Sequence, residues 1–155
     1  MNEKLKINIY KGLPMILEKV KAVALSAVIG KTPAWIHQKQ EQTIVKGLQK
    51  RFVESDVCLI NNGLELLGQE ILQSMISYEP NREAVIEQIK YMGNFIAMPY
   101  IYNDVLKKGR QWYASRMIQR KPGRMVCSFK EDDILRINMA AMQIANELRG
   151  IELTL

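Results

Sequence analysis

The chain has 155 residues, of which 48% are apolar, so it can bury a core, and its composition argues against disorder. It contains no uninterrupted apolar run of about 18 residues, which excludes a membrane span, and its first residues lack the apolar segment of a signal peptide. We therefore expect a cytoplasmic protein, and the formal net charge of +6 favours an anionic partner.

Hydrophobic spacing and capping signals predict an all-α chain with one irregular segment. Helices are predicted, in chain order, over residues 4–10, 14–28, 32–42, 54–77, 82–97, 100–107, 110–120 and 131–149. Thr32 and Pro33 form a strong helix start, because threonine caps helices and proline is favoured at the first helical position. Residues 43–51 place apolar positions around Gly47 and predict a loop or short hairpin. Residues 78–81 are the clearest boundary signal.

A shift of 77 residues aligns the second half of the chain with the first. Nine of the 41 positions from 31 to 71 then carry identical residues without a gap, against about two or three expected from average composition. The identical pairs are Lys31 and Lys108, Trp35 and Trp112, Gln42 and Gln119, Phe52 and Phe129, Glu54 and Glu131, Asp56 and Asp133, Ile60 and Ile137, Asn61 and Asn138, and Glu70 and Glu147. The apolar spacing after Phe52 also recurs after Phe129.

These matches predict a tandem duplication of a small helical unit, with residues 1–78 and 79–155 as the two copies. Each copy is expected to end in a long amphipathic helix. Because no flexible linker separates the copies, we expect them to pack together. The alternative is two unrelated helical segments that share a periodicity.

Positive charge is concentrated in two windows of the sequence. Residues 31–51 and 107–124 together hold twelve lysines and arginines and one acid, whereas the rest of the chain holds ten bases and fifteen acids. Two separate basic segments favour nucleic acid as the anionic partner. Solvated basic loops that bind nothing are the alternative.

Residues 25–38 have the spacing of two helices joined by a tight turn. Ser26 is small enough for close helix crossing, Gly30 can adopt the left-handed turn conformation, and Ile36 can anchor the second helix. With Thr32 as the cap, this segment resembles the helix-turn-helix of phage-repressor-like regulators. The resemblance implies that the helix beginning at Thr32 enters the major groove of double-stranded DNA.

The candidate DNA-binding residues lie in the two basic windows. Those of the first window are Lys31, Thr32, Ala34, His37, Gln38, Lys39, Lys46, Lys50 and Arg51. Those of the second are Lys108, Arg110, Gln111, Ser115, Arg116, Arg120, Lys121 and Arg124. Gln38 is suited to an adenine edge, whereas the lysines and arginines would hold phosphates.

The second copy departs from the motif, since Lys107 stands where the first copy has Gly30. Its strong positive charge fits either a phosphate clamp with little base discrimination or a degenerate copy used for packing. More faintly, residues 31–35 (KTPAW) and 52–54 (FVE) resemble segments of short proteins of Bacteroides-type mobile elements. That resemblance implies no activity.

Each copy contains one tryptophan, Trp35 or Trp112. Such rings could stack on bases. We favour the interpretation that each is a half-buried anchor that locks its helix against Phe52 or Phe129, because a large aromatic side chain stabilises mostly by burial.

No catalytic or metal-binding pattern is present, so we expect neither an enzyme nor a cofactor. His37 is the only histidine, and the sequence has no HExxH, GxSxG or P-loop motif. Cys58 and Cys127 lack metal-ligand spacing and are expected to be buried or semi-exposed thiols. The acidic pairs at residues 54–56 and 131–133 lie at predicted helix starts. Carboxylates are favoured there by the helix dipole, and we prefer this explanation to a two-metal nuclease site.

The sequence therefore predicts a DNA-binding protein, either a transcriptional regulator or an accessory factor of a mobile element or phage. It would act on double-stranded DNA as a pseudo-symmetric monomer or as a homodimer, with no membrane and no small-molecule substrate. The alternative is a protein-interaction or structural module that retains the helix-turn-helix as a scaffold.

Overall fold

The computed structural model describes residues 3–119, 122–123 and 125–155. Its helices, in chain order, are α1 Ile9–Leu17, α2 Ala22–Ile29, α3 Pro33–Gln40, α4 Glu54–Gln73, α5 Arg82–Met92, a π-helix at Tyr100–Val105, α6 Arg110–Met117 and α7 Glu131–Gly150. Its strands are β1 Leu5–Asn8, β2 Ile44–Val45, β3 Leu48–Gln49 and β4 Ile151–Thr154. The described chain is mostly helical, as predicted, but it is not all-α.

The prediction of a helix over residues 4–10 is wrong at its start. Leu5–Asn8 form β1, which pairs in parallel with β4 and places Leu5 opposite Ile151. Ile151 and Leu153 of β4 are buried, so this pairing extends the core. The partner strand lies at the other end of the sequence, and no local pattern reveals such a pairing.

The predicted helix over residues 14–28 is also wrong as one element, because a break separates α1 from α2. In the break, Val20 forms an isolated antiparallel bridge with Ile96. Backbone groups that bond to a second segment cannot also bond within a continuous helix, so the bridge interrupts the helical pattern.

Three further segments can be compared with their predictions. The short hairpin is confirmed, with Ile44 opposite Gln49 in an antiparallel pair. The long helix predicted to reach residue 77 ends at Gln73, and the helix predicted over residues 100–107 is a π-helix. Over the described residues, no helix is both long enough and apolar enough to cross a membrane.

The core is centred on α4 and α7, which make the most extensive contact between any two elements. One connected cluster of buried apolar residues includes side chains from both halves of the sequence. Its central members on these two helices are Val57, Ile60, Leu64, Leu67, Ile71, Ile134, Ile137, Ala141, Ile144 and Leu148. The apolar spacing seen after each phenylalanine is therefore a buried helix face.

The two halves share element bounds at the offset found in the sequence. Helices α3 and α6 each have eight residues and begin 77 residues apart. Helices α4 and α7 each have twenty residues and also begin 77 residues apart. The π-helix lies within the segment that corresponds to α2.

The expectation of buried or semi-exposed cysteines is wrong, because Cys58 and Cys127 are both exposed free thiols. Cys58 lies on α4 next to the buried Val57, so it falls on the outer side of an amphipathic helix. The helical spacing, rather than the usual preference of cysteine for the interior, decides its environment.

Candidate nucleic-acid interface

Helices α2 and α3 are joined by a tight turn at Gly30. Gly30 has φ 70°, and its N–H donates to the carbonyl of Ser26, which closes α2. Ser26 is buried, and its hydroxyl donates to the carbonyl of Val23 at 2.9 Å. Ile36 on α3 is 1% exposed and holds the inner side of α3 in the core. The turn and the buried face therefore fix the orientation of α3.

The predicted start of α3 is confirmed. Thr32 is the N-cap, and its side-chain oxygen accepts a hydrogen bond from the Trp35 N–H at 3.1 Å. Thr32, Ala34 and His37 are exposed, and Gln38 is half-exposed. The outer face of this helix therefore presents short and polar side chains to solvent.

Lys39 is the exception among the candidate cations of the first window. Its ammonium bonds to Asp56 Oδ2 at 2.6 Å and to the carbonyl of Arg51 at 3.1 Å. The side chains of Lys39 and Asp56 are only 18% and 14% exposed. Lys39 therefore fastens the end of α3 to the start of α4, and this internal ion pair takes it away from the phosphate-binding role predicted for it.

Trp35 has the anchoring position that we favoured. Its ring is partly buried against the core and meets the ring of Phe52 edge to face, with centroids 6.1 Å apart. The ammonium of Lys31 lies 5.3 Å from the Trp35 ring centroid, and that of Lys39 lies 5.1 Å away. The tryptophan thus packs inward and also orients two lysines.

A basic hairpin, residues 43–51, follows α3 directly. Its base is tied to α3 by a hydrogen bond from the Thr43 N–H to the Gln38 carbonyl at 2.9 Å. Lys46 has φ 52° and lies exposed at the tip, and Lys50 is half-exposed. The exposed guanidinium of Arg51 bonds to the side chain of Gln49. The hairpin therefore places exposed cations directly after α3.

The second half of the chain offers a different set of exposed groups. Lys108, Arg110 and Gln111 are exposed at the start of α6. Ser115 is half-exposed, and its hydroxyl donates to the Trp112 carbonyl of the same helix at 2.9 Å.

Arg116 is also held internally. Its Nη1 donates to the Trp112 carbonyl at 3.0 Å, and its guanidinium lies 4.5 Å from the Trp112 ring centroid. Its Nε is buried and has no hydrogen-bond partner among the described residues. Trp112 in turn meets the Phe129 ring edge to face at 5.6 Å. Arg116 is thus held against Trp112 of its own helix, whereas Lys39 joins α3 to α4.

The contact between the π-helix and α6 is aromatic. Tyr113 stacks on Tyr102 with ring centroids 4.5 Å apart and an interplanar angle of 21°. Leu25 and Ile36 stand 77 residues earlier, so two tyrosines replace an aliphatic pair. Burial raises the pKa of Tyr113 to about 12, and the neighbouring Tyr102 adds to this shift.

Three candidate cations, Arg120, Lys121 and Arg124, lie outside the described residues. Two supporting residues were missed by the sequence reasoning. Asp56 was interpreted only as a helix-start acid, although it also neutralises Lys39. Arg82 donates to the carbonyls of three residues of the second unit, and nothing in the local sequence indicates these bonds.

The acidic pairs have structural roles at helix starts. Asp56 Oδ2 accepts a hydrogen bond from the Val53 N–H at 3.0 Å, and Asp133 Oδ2 accepts one from the Lys130 N–H at 2.8 Å. Within residues 3–119, 122–123 and 125–155, no group of three or more histidine, cysteine or acidic side chains is arranged to hold a metal ion.

No protein-family model, no curated protein and no solved structure matches this chain. The function is therefore inferred from the chemistry and geometry of its own residues.

Proposed function

We propose that the chain consists of two diverged copies of one helical unit, residues 1–78 and 79–155. The matching bounds of α3 with α6 and of α4 with α7 support this proposal. So do the two edge-to-face pairs, Trp35 with Phe52 and Trp112 with Phe129, which have similar centroid distances. Unrelated helical segments would share a periodicity but have no reason to repeat such details at a constant offset.

The turns support the same proposal. Gly30 and Lys107 are 77 residues apart, and both have positive φ, 70° and 57°. Lys46 and Gly123 are also 77 residues apart, with φ of 52° and 76°. The left-handed conformation is uncommon for lysine, so its recurrence where the other copy has glycine favours a shared backbone design.

We further propose that the protein binds double-stranded DNA as a regulator or mobile-element accessory factor. One observation carries this proposal: α3 is fixed from behind by Ile36 and Trp35, while its outer face and the adjoining basic hairpin are exposed together. A rigid helix with polar groups outward and cations beside it suits insertion into a major groove with flanking phosphate contacts.

The proposed roles follow exposure. Thr32, His37 and Gln38 contact base edges. The phosphate contacts of the first unit are assigned to Lys31, Lys46, Lys50 and Arg51, and the DNA contacts of the second unit to Lys108, Arg110 and Gln111. Lys39 positions α3 against α4 instead, and Ser115 and Arg116, which bond to the Trp112 carbonyl of their own helix, are assigned no DNA contact.

The test is the salt dependence of binding to mixed genomic duplex. The affinity of the natural protein should fall steeply with salt, and a Lys46→Ala, Lys50→Ala variant should reduce the slope of log K against log salt by about 0.9 for each phosphate that the protein no longer neutralises. Lys90→Ala is the control for the loss of a surface cation, because Lys90 is 60% exposed on α5, pairs with Glu87 and is assigned no DNA contact. Absence of a shift at low salt would refute DNA binding.

A protein-interaction module is the second candidate. Ile44 and Leu48 on the hairpin are 69% and 71% exposed. Leu135, Met139 and Met142 are also exposed and share one face of α7. Exposed apolar side chains in groups favour a protein partner. Failure to bind duplex DNA, together with loss of self-association or partner binding on replacing these five residues, would favour this candidate.

A further inference from the structure

Two asparagines join the halves of the chain through paired backbone hydrogen bonds. Asn61 Nδ2 donates to the Leu153 carbonyl at 2.9 Å, and the Leu153 N–H donates to Asn61 Oδ1 at 2.8 Å. Asn138 Nδ2 donates to the Ile76 carbonyl at 2.8 Å, and the Ile76 N–H donates to Asn138 Oδ1 at 2.9 Å. Each asparagine therefore binds both backbone groups of one residue in the other half.

These two contacts are related by the 77-residue offset. Asn138 is the equivalent of Asn61, and Leu153 is the equivalent of Ile76. Each unit therefore contacts the other through the same pair of positions. Such reciprocity is the property of an isologous, two-fold interface. In a head-to-tail arrangement, Asn61 could contact Leu153, but Asn138 would need a partner 77 residues beyond Leu153.

Two other contacts lie where a two-fold axis would pass. A Cβ atom added at Gly68 would lie 3.1 Å from the carbonyl oxygen of Ala145, which is the residue equivalent to Gly68. Contact of a position with its own equivalent is expected only at the axis.

The break between α1 and α2 gives the second axial contact. The Ala97 N–H donates to the Lys19 carbonyl at 2.9 Å, and Val20 is bridged to Ile96. Ile96 and Ala97 are the equivalents of Lys19 and Val20. The two segments therefore run antiparallel where they cross. Val20 pairs with the equivalent of Lys19, and Lys19 bonds to the equivalent of Val20. A two-fold axis requires this exchange of partners.

A two-fold relation between the units has a consequence for the DNA site. B-DNA has local two-fold axes perpendicular to its length, so two readers related by a two-fold axis match half-sites in inverted orientation. A sequence duplicated in tandem would suggest that the two DNA half-sites form a direct repeat. The reciprocal contacts instead relate the two units by a two-fold rotation, which corresponds to inverted half-sites. If α3 and α6, which are equivalent in the two units, both enter the major groove of one duplex, the two-fold relation assigns them to the two halves of one site.

The two helices do not carry the same side chains toward that site. Where α3 has His37 and Gln38, α6 has Ala114 and Ser115. Arg110 and Gln111 of α6 are exposed and are side-chain types that contact guanine and adenine edges. The two half-sites should therefore differ in sequence.

We propose that one molecule of this protein binds a single duplex site composed of two non-identical half-sites in inverted orientation. Helix α3 contacts one half-site and α6 the other. This inference rests on the proposed DNA binding and adds the form of the target and the stoichiometry.

The test begins with duplexes selected from a random pool by the full chain. The selected sites should contain two different half-sites in inverted orientation, bound by one protein molecule as measured by native mass spectrometry. Reversing one half-site within its duplex should lower the affinity about tenfold or more.

Two matched variants then assign the halves. His37→Ala with Gln38→Ala should relax base preference in one half-site only, and Arg110→Ala with Gln111→Ala should relax it in the other half-site only. All four residues lie at least partly exposed, so the folded state should survive, which circular dichroism would check.

Direct repeats, single half-sites or two molecules per site would overturn this inference and leave duplex binding intact. The same holds if both variants altered the same half-site. Absence of binding to any duplex would overturn both this inference and the proposed function.

Discussion

Replacing Asn138 with leucine should destabilise the protein strongly, because it removes both hydrogen bonds between Asn138 and Ile76, which join the two halves of the chain. The buried backbone of Ile76 would lose a partner for its N–H and for its carbonyl. Each unsatisfied buried group costs about 1–3 kcal/mol, so the loss of both partners should lower the free energy of unfolding by about 2–6 kcal/mol. For a chain of this size, each kcal/mol lowers Tm by about 2–4 °C.

Urea denaturation followed by circular dichroism would measure this change. Asn61→Leu should have a similar effect, because Asn61 makes the equivalent pair of bonds with Leu153. Asn62→Leu is the matched control, since Asn62 is exposed on the same helix, and its effect should stay within about 0.5 kcal/mol. If Asn138→Leu were no more destabilising than Asn62→Leu, the reciprocal contact would not hold the units together.

Three further predictions concern residues in or beside α3 and α6. Gly30→Ala should lower the free energy of unfolding, measured by urea denaturation, by about 1–2 kcal/mol, because alanine disfavours the φ of 70° found there. The added methyl group itself has open space. An unchanged urea midpoint would contradict the left-handed turn. Asp56→Ala should cost about 1–3 kcal/mol in the same assay, because it removes a helix-cap bond and leaves Lys39 without its carboxylate; an effect equal to that of an exposed acid such as Glu87→Ala would refute this. Burial raises the pKa of the Tyr113 phenol from 10.0 to about 12, and Tyr102 adds a smaller effect. The folded state therefore favours the neutral phenol. The stability that this contributes is fully present below pH 10 and is lost as the pH rises toward 12. Tyr113→Phe should remove this part of the pH dependence, and an unaltered profile would contradict it.

Local sequence signals predicted the elements that local chemistry determines. The start of α3 at Thr32 and Pro33, the hairpin around Gly47 and the buried faces of α4 and α7 each depend on residues close in sequence. The strands β1 and β4 and the break at Val20 were missed because each depends on a partner distant in sequence. Propensity alone carries no information about such partners.

The candidate interface was predictable in outline but not residue by residue. Charge and helical spacing located Lys31, Lys46 and Arg110 on exposed positions. The same signals gave no means of separating them from Lys39 and Arg116, whose charged groups are held inside the fold. That distinction depends on Asp56 and the Arg51 carbonyl, which bond to Lys39, and on the carbonyl and ring of Trp112, which contact Arg116.

The most direct test of DNA binding through the exposed face of α3 is to map the contact surface in solution. We would record backbone amide chemical shifts of the isotope-labelled protein during titration with mixed genomic duplex at low salt. The largest changes should occur at residues 31–38, 46–51 and 108–111. Changes confined to the exposed face of α7 that holds Leu135, Met139 and Met142, or no changes at all, would contradict DNA binding through α3.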